Sequence, residues 1–147
     1  MNVVDSSAWL EYLADGPNAA VFAGAIEATG ELLVPSLTIY EVFKRVLQQR
    51  GEGDALRAAA LMQQGAVVGL DAGLALAAAR LSLDTRLPMA DSVVLATARA
   101  HQAALWTQDA DFDGLPGVRY RARKPRSDGR YHRPGRSGAL TAGRPRV

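Results

Sequence analysis

Val3-Val4-Asp5-Ser6-Ser7-Ala8-Trp9-Leu10 is the stretch on which the fold turns. Residues 1–4 are a short apolar run that reads as a buried strand, and the run ends directly on Asp5. Asp5 or Ser6 then caps a helix that carries Trp9, Leu10 and Leu13 and stops at Asp15-Gly16-Pro17. A strand that passes through an acid into a helix opens a β-α unit. In open parallel sheets, such units form their sites in the crevice beyond the carboxyl ends of the strands.

The alternation continues down the chain. A helix over residues 18–28 is followed by the strand Leu32-Leu33-Val34-Pro35. From Thr38 the spacing of Ile39, Val42, Phe43, Val46 and Leu47 predicts a helix, which ends near Arg50-Gly51. Asp54 opens another helix, ending at Gly65, and residues 66–70 are a third apolar run. Asp71 starts an alanine-rich helix with Leu74, Ala77, Ala78 and Leu81 on one face. Pro88 precedes a helix over residues 90–103, and Ala104-Leu105-Trp106-Thr107 reads as a fourth strand. Val118-Arg119-Tyr120 fits a short edge strand. Short strands separated by helices imply parallel pairing with right-handed crossovers, hence an α/β sandwich. No internal repeat is visible.

Four acids fall at related places. Asp5 and Asp109 follow predicted strands, while Glu41 and Asp91 sit in helices that begin close to strand ends. Each has an ordinary explanation by itself. Asp5 is placed to cap a helix, Asp91 benefits from a helix dipole, Glu41 suits a solvated helix, and Asp109, Asp111 and Asp113 suit a polar turn. Their joint placement points elsewhere. Several carboxylates sharing a small space repel one another unless a cation neutralises them. A cluster of that kind holds hard divalent ions, which activate water and stabilise the charge that develops in phosphodiester cleavage.

The same residues carry a family resemblance. VVDSSAWL (residues 3–10) resembles the opening strand and first acidic motif of the PIN-domain superfamily, and SLTIYEVFK (residues 36–44) resembles the second. LPMADSVVLATA (residues 87–98) resembles the third motif, and WTQDADF (residues 106–112) the fourth, a Thr-x-Asp-x-Asp-Phe signature. Each motif is short; the ordered set is specific. The resemblance covers about residues 1–120 and is greatest to the VapC ribonuclease toxins of toxin–antitoxin pairs. It implies a PIN-like three-layer α/β/α sandwich around a central, mainly parallel five-stranded sheet. It also implies Mg²⁺ or Mn²⁺ as cofactor, an RNA substrate, a homodimer and a cognate antitoxin protein. By the same resemblance Asp5, Glu41, Asp91 and Asp109 are catalytic metal ligands, with Ser6 (or Ser7), Thr107 and Asp111 in support. The implied reaction is attack of metal-activated water on an RNA phosphodiester, leaving a 5′ phosphate and a 3′ hydroxyl. His101, near a helix end, is read as structural.

Composition narrows the alternatives. The chain of 147 residues has the length of one ordinary domain. It has no cysteine and two histidines, His101 and His132, so a thiolate or histidine-built metal site is not expected. Residues 1–9 lack a basic start followed by an apolar run, and no stretch is long and apolar enough to span a bilayer. A cytoplasmic protein without membrane association is the expectation. A haloacid-dehalogenase-type phosphatase needs a second aspartate where Ser7 stands. A response-regulator receiver needs a late lysine, whereas Lys44 is the only lysine before residue 120. The remaining alternative is a non-catalytic PIN-like module that binds RNA or protein, which metal removal and Asp5→Asn would leave unaffected.

The net charge of +2 conceals two regimes. Residues 1–118 contain seven Lys+Arg and fourteen Asp+Glu, giving −7, whereas residues 119–147 contain ten Lys+Arg and one acid, giving +9. Residues 121–147 are rich in Arg, Gly, Pro and Ser and read as a disordered basic tail after a domain of residues 1–120. Arg121, Arg123, Lys124 and Arg126 are its candidate contacts to RNA phosphates, which the acidic body would otherwise repel.

Overall fold

The computed structural model describes residues 1–125. The elements in chain order are β1 (Asn2–Val4), α1 (Ser6–Leu13), α2 (Ala19–Glu27), β2 (Leu32–Pro35), α3 (Ser36–Arg50) and α4 (Glu52–Met62). They continue with β3 (Ala66–Val68), α5 (Ala72–Thr85), α6 (Met89–Ala100), β4 (Ala104–Thr107) and β5 (Val118–Tyr120). Every strand pair is parallel, and the five-stranded sheet has the order β3-β2-β1-β4-β5. The sheet is therefore wholly parallel.

Alternation along three-residue and four-residue strands splits the core in two. Val4, Leu32 and Val34 face a layer built from α1, α2, α3 and α4, where Trp9, Phe22, Val42 and Met62 are buried. Val3, Leu33 and Leu105 face the other way, against Leu87, Val94, Leu95, Ala98 and Phe112. Both faces are covered, which is what parallel strands without a polar face require. The α6 helix is buried on nearly all sides: Ser92 to Ala98 are seven consecutive buried residues. The side of α6 turned away from the sheet is covered by α5, whose Ala78 packs with Val93 and Ala96 of α6.

Some boundaries differ from the sequence expectation. α3 begins at Ser36, directly on the end of β2, rather than at Thr38. α4 begins at Glu52, because Gly51, at φ +92°, lets the chain reverse in a single residue after α3. β3 stops at Val68, and α6 stops at Ala100. Among the described residues no helix is long and apolar enough to cross a membrane.

The order of strands fixes where a site can form. The chain builds β1, β2 and β3 outward in one direction, then crosses back to place β4 and β5 on the other side of β1. The reversal lies between β1 and β4, and the crevice of such a sheet opens beyond the carboxyl ends of those two strands. Asp5 follows β1, and Gln108-Asp109 follow β4.

Candidate active site

At the end of β1, the Asp5 main-chain N–H donates to the carbonyl of Trp106 at 2.9 Å, which ties it to β4. Its side chain is 2% exposed. The carboxylate accepts from the Ser7 hydroxyl at 2.8 Å, the Ser7 main-chain N–H at 3.3 Å and the Thr107 hydroxyl at 2.9 Å. Burial pushes its pKa up, and these hydrogen bonds pull against that shift. The same carboxylate caps α1 and acts electrostatically on Glu41 and Asp91, so capping does not take Asp5 away from the other acids.

The loop after β4 is held by the same hydroxyls. Gln108 N–H donates to Ser7 Oγ at 3.2 Å, and Asp109 N–H donates to Thr107 Oγ1 at 2.9 Å. The Asp109 carboxylate accepts from Asp111 N–H at 2.9 Å and starts a single 3-10 turn over Ala110–Phe112. The turn is pinned by Phe112, which is fully buried. Thr107 therefore orients the acid before it in space and the acid after it in sequence.

The helix acids are held differently. Asp91 lies in the first turn of α6, and its carboxylate makes no hydrogen bond among the described residues. Burial raises its pKa from 3.8 to about 7, reinforced by the charges of Asp5, Asp109, Glu41 and Asp111. Glu41, in the second turn of α3, is raised by burial and then by the Asp5 charge, with the Ser6 hydroxyl acting in the opposite sense. Ser6 and Ser7 thus divide between them the role expected of one serine. Ser7 serves Asp5, and Ser6 serves Glu41.

All five acids are brought to one crevice. Oxygens of Asp91, Asp109 and Asp111 lie within 4.8 Å of one another. Asp111, expected in support, joins the tightest group. Asp5 and Glu41 stand outside that group but close enough to raise the Asp91 pKa. Among the described residues the ion pairs are those of Arg50 and Arg57 with Asp54, so no cation sits within ion-pair distance of the five. Oxygen-only donors, uncompensated charge and this spacing fit a hard divalent ion such as Mg²⁺ or Mn²⁺.

The other expected residues lie at the margins. Arg121, Arg123 and Lys124 are exposed on the segment that follows β5. Arg126, with the rest of residues 126–147, lies outside the described residues. His101 closes α6, its ring nitrogen 3.0 Å from the Thr97 carbonyl, a structural position. Sequence reading missed Glu11, Asn18 and Gln108, which join through side-chain hydrogen bonds behind the loop that carries Asp109. Asn18 reads locally as turn punctuation and Gln108 as a motif spacer, and their pairing across 90 residues leaves no local signal.

Comparison with known proteins agrees with this fold. No curated protein sequence matches the chain significantly. Among solved structures, a toxin–antitoxin complex from Klebsiella pneumoniae is similar, with a TM-score of 0.71 at 22% identity over 84% of this chain and 100% of that one. A sarcin–ricin loop-cleaving VapC toxin from Mycobacterium tuberculosis gives 0.62 at 18% identity, covering 76% and 92%. A VapBC complex from Rickettsia felis, bound to a promoter DNA fragment, gives 0.65 at 11% identity, covering 84% and 98%. These likenesses concern the fold. The PIN-domain family model matches residues 3–118, which include all five acids of the crevice, and the chain belongs to the PIN-domain family.

Proposed function

We propose that this protein is a Mg²⁺- or Mn²⁺-dependent endoribonuclease that hydrolyses RNA phosphodiester bonds, acting in the cytoplasm as the toxin of a VapBC-like pair. The observation that carries the reading is the crevice at the β1/β4 reversal. Five carboxylates act on one another there with no cation of the described residues in ion-pair distance, and Asp91 is raised to about 7 by burial and by its acidic neighbours. Repulsion of this kind is offset when a divalent ion binds.

Asp91, Asp109 and Asp111 are the residues that would hold the ion, with Asp5 and Glu41 as further ligands directly or through water. When bound, the ion supplies Lewis acidity toward a phosphodiester and lowers the pKa of a water. The chain's own residues do the positioning. Thr107 and Ser7 fix the Asp5 carboxylate, so its oxygens do not swing when substrate enters. The Ser6 hydroxyl favours the charged form of Glu41. The exposed cations Arg121, Arg123 and Lys124 give RNA phosphates a counter-charge beside an otherwise acidic body.

Relatives of this fold solved as toxin–antitoxin complexes support a protein partner. A groove of about 250 Å³ between α1, α3 and α4 offers one docking place. Its lining combines apolar Leu13, Val46 and Leu61 with the Arg50–Asp54–Arg57 ion pairs. For the homodimer, Phe43 is half-buried against the core, while Leu56 is exposed; Leu76 and Leu83 on α5 are more exposed still.

The test is incubation of labelled total RNA with purified protein, with and without Mg²⁺ or Mn²⁺, beside the Asp5→Asn/Asp91→Asn double variant. Discrete cleavage that requires metal and disappears in the variant is the expected result. RNA binding without cleavage under any metal, unaffected by the substitutions, would replace the enzyme with a binding module.

A further inference from the structure

Behind the acidic loop lies a second polar network that the acidic cluster does not use. Glu11 of α1 accepts from the Asn18 main-chain N–H at 2.6 Å through one oxygen and from Gln108 Nε2 at 3.3 Å through the other. Asn18 Nδ2 donates to Gln108 Oε1 at 3.0 Å and to the Ala122 carbonyl at 2.9 Å. Asn18 is fully buried and Gln108 is 3% exposed. Buried amides at an element junction are costly unless they are paired, so this pairing has a structural purpose. Gly16 makes the space. A Cβ there would stand 2.5 Å from the Glu11 carboxylate.

The network touches both charge regimes of the molecule. Through its main chain, Gln108 donates to Ser7 Oγ, which in turn donates to Asp5. Through Asn18, it reaches Ala122, two residues past β5 and inside the basic segment. Arg121 N–H also donates to the Thr107 carbonyl at 2.9 Å, so the chain leaves the sheet at the carboxyl edge, one ladder step from the residue that orients Asp5. Arg121, Arg123 and Lys124 bracket the fixed carbonyl of Ala122.

We infer that Glu11, Asn18 and Gln108 form a latch that fixes the exit of the basic segment beside the acidic crevice, so that Arg121, Arg123 and Lys124 lie as a phosphate track for an RNA strand entering the site. The three are positioning residues. They act on RNA through the cations, not by touching it. The inference rests on the ribonuclease reading for the identity of the strand.

The test measures binding, not turnover. A fluorescent single-stranded RNA is titrated in EDTA against the full chain carrying Asp91→Asn, across a salt series. Adding Asn18→Ala is expected to weaken binding roughly threefold to tenfold at low salt, and to flatten the log–log salt dependence by up to about 2, at about 0.7 per cation lost from a single strand. The decisive comparison adds Asn18→Ala to a chain already carrying Arg121→Ser, Arg123→Ser and Lys124→Ser. A latch acting through those cations gives no further loss there, whereas general loosening of the fold weakens both backgrounds alike. Should Asn18→Ala fail to fold in a thermal melt, Gly16→Ala perturbs the same network by displacing the Glu11 carboxylate and is expected to give the same non-additivity. Wild-type salt dependence in the latch variants, or equal losses in both backgrounds, overturns the latch and leaves the nuclease reading intact. Absence of RNA binding by the parent chain overturns the phosphate track, while the nuclease reading is decided separately by the metal-dependent cleavage of RNA by the wild-type chain.

Discussion

The strand side and the helix side of the crevice hold their acids by opposite means. On the strand side, Asp5 is nearly sealed from solvent and accepts three hydrogen bonds, and the Asp109 loop is pinned by Thr107 and Phe112. On the helix side, Asp91 is half-buried, its carboxylate accepts no hydrogen bond among the described residues, and four other acids act on it. The first arrangement is built to keep its geometry at all times. The second is a charge that the fold leaves unanswered, and an ion that answers it gains affinity from that omission. On the proposed reading, a rigid wall and an uncompensated wall together would make an ion site that is preorganised when empty and stabilised when filled.

That contrast can be broken by substitution. The largest effect is expected at the uncompensated wall. Asp91→Asn should lower metal-dependent RNA cleavage by more than about 100-fold, since even changes behind the ligands of a metal site cost about 10–100-fold. Steady-state cleavage assays at saturating Mn²⁺ measure this, and an Asp91→Asn enzyme within a few-fold of wild type would remove Asp91 from the metal site. At the rigid wall, Ser7→Ala removes the hydroxyl that links Asp5 to Gln108. About 10–100-fold in metal affinity is expected to go, together with about 1–3 kcal/mol of stability for the buried carboxylate left short of a donor. Metal titrations and urea melts of the same variant separate the two. Thr107→Val should behave alike; Ser6→Ala should be milder, because its hydroxyl answers the less buried Glu41.

The pH dependence of stability sharpens the comparison. Asp91 has a folded pKa of about 7 against an ordinary 3.8, so between those values the folded chain holds a proton that the unfolded chain has released. Stability from this group is therefore fully present below about pH 4 and is lost as pH rises through about 7. In metal-free protein, Asp91→Asn should raise the melting temperature above pH 7, with the gain vanishing toward pH 4. Differential scanning calorimetry in EDTA checks this; a variant less stable than wild type at every pH would show that the Asp91 carboxylate is compensated after all. The smallest effect belongs to Asp111, which is exposed and can be replaced by water. Asp111→Asn is expected to cost about 10-fold in activity, because Asp111 is the exposed member of the three acids that would hold the ion and water can take its place. A loss as large as that of Asp91→Asn would make it an obligatory ligand.

Much of this was legible in the sequence, for a physical reason. Residues such as Val3, Val4 and Leu105 announce buried strands, and Asp5 directly after β1 and Asp109 two residues after β4 mark the carboxyl edge where parallel sheets place their sites. The four acids of the motifs were found because strand ends and helix starts are local signals. What escaped is what depends on distant parts of the chain. Seven consecutive buried residues of α6 are not written in its periodicity, because α5 covers the face that should have met solvent. The choice between Ser6 and Ser7 depends on Thr107 standing 3.3 Å from Ser7 Oγ, one hundred residues away. Asn18 and Gln108 pair across the same kind of distance, and each alone reads as a turn residue or a spacer.

The claim that the crevice is an ion site is tested most directly by calorimetric titration of the full chain with Mn²⁺, in buffers of different ionisation heat. Saturable binding is expected, with net proton release near pH 7 as the ion displaces the proton held by the acids around Asp91. That binding should weaken as pH falls and be lost with Asp91→Asn. No saturable heat at any pH above 7, or undiminished binding by Asp91→Asn, would contradict the account.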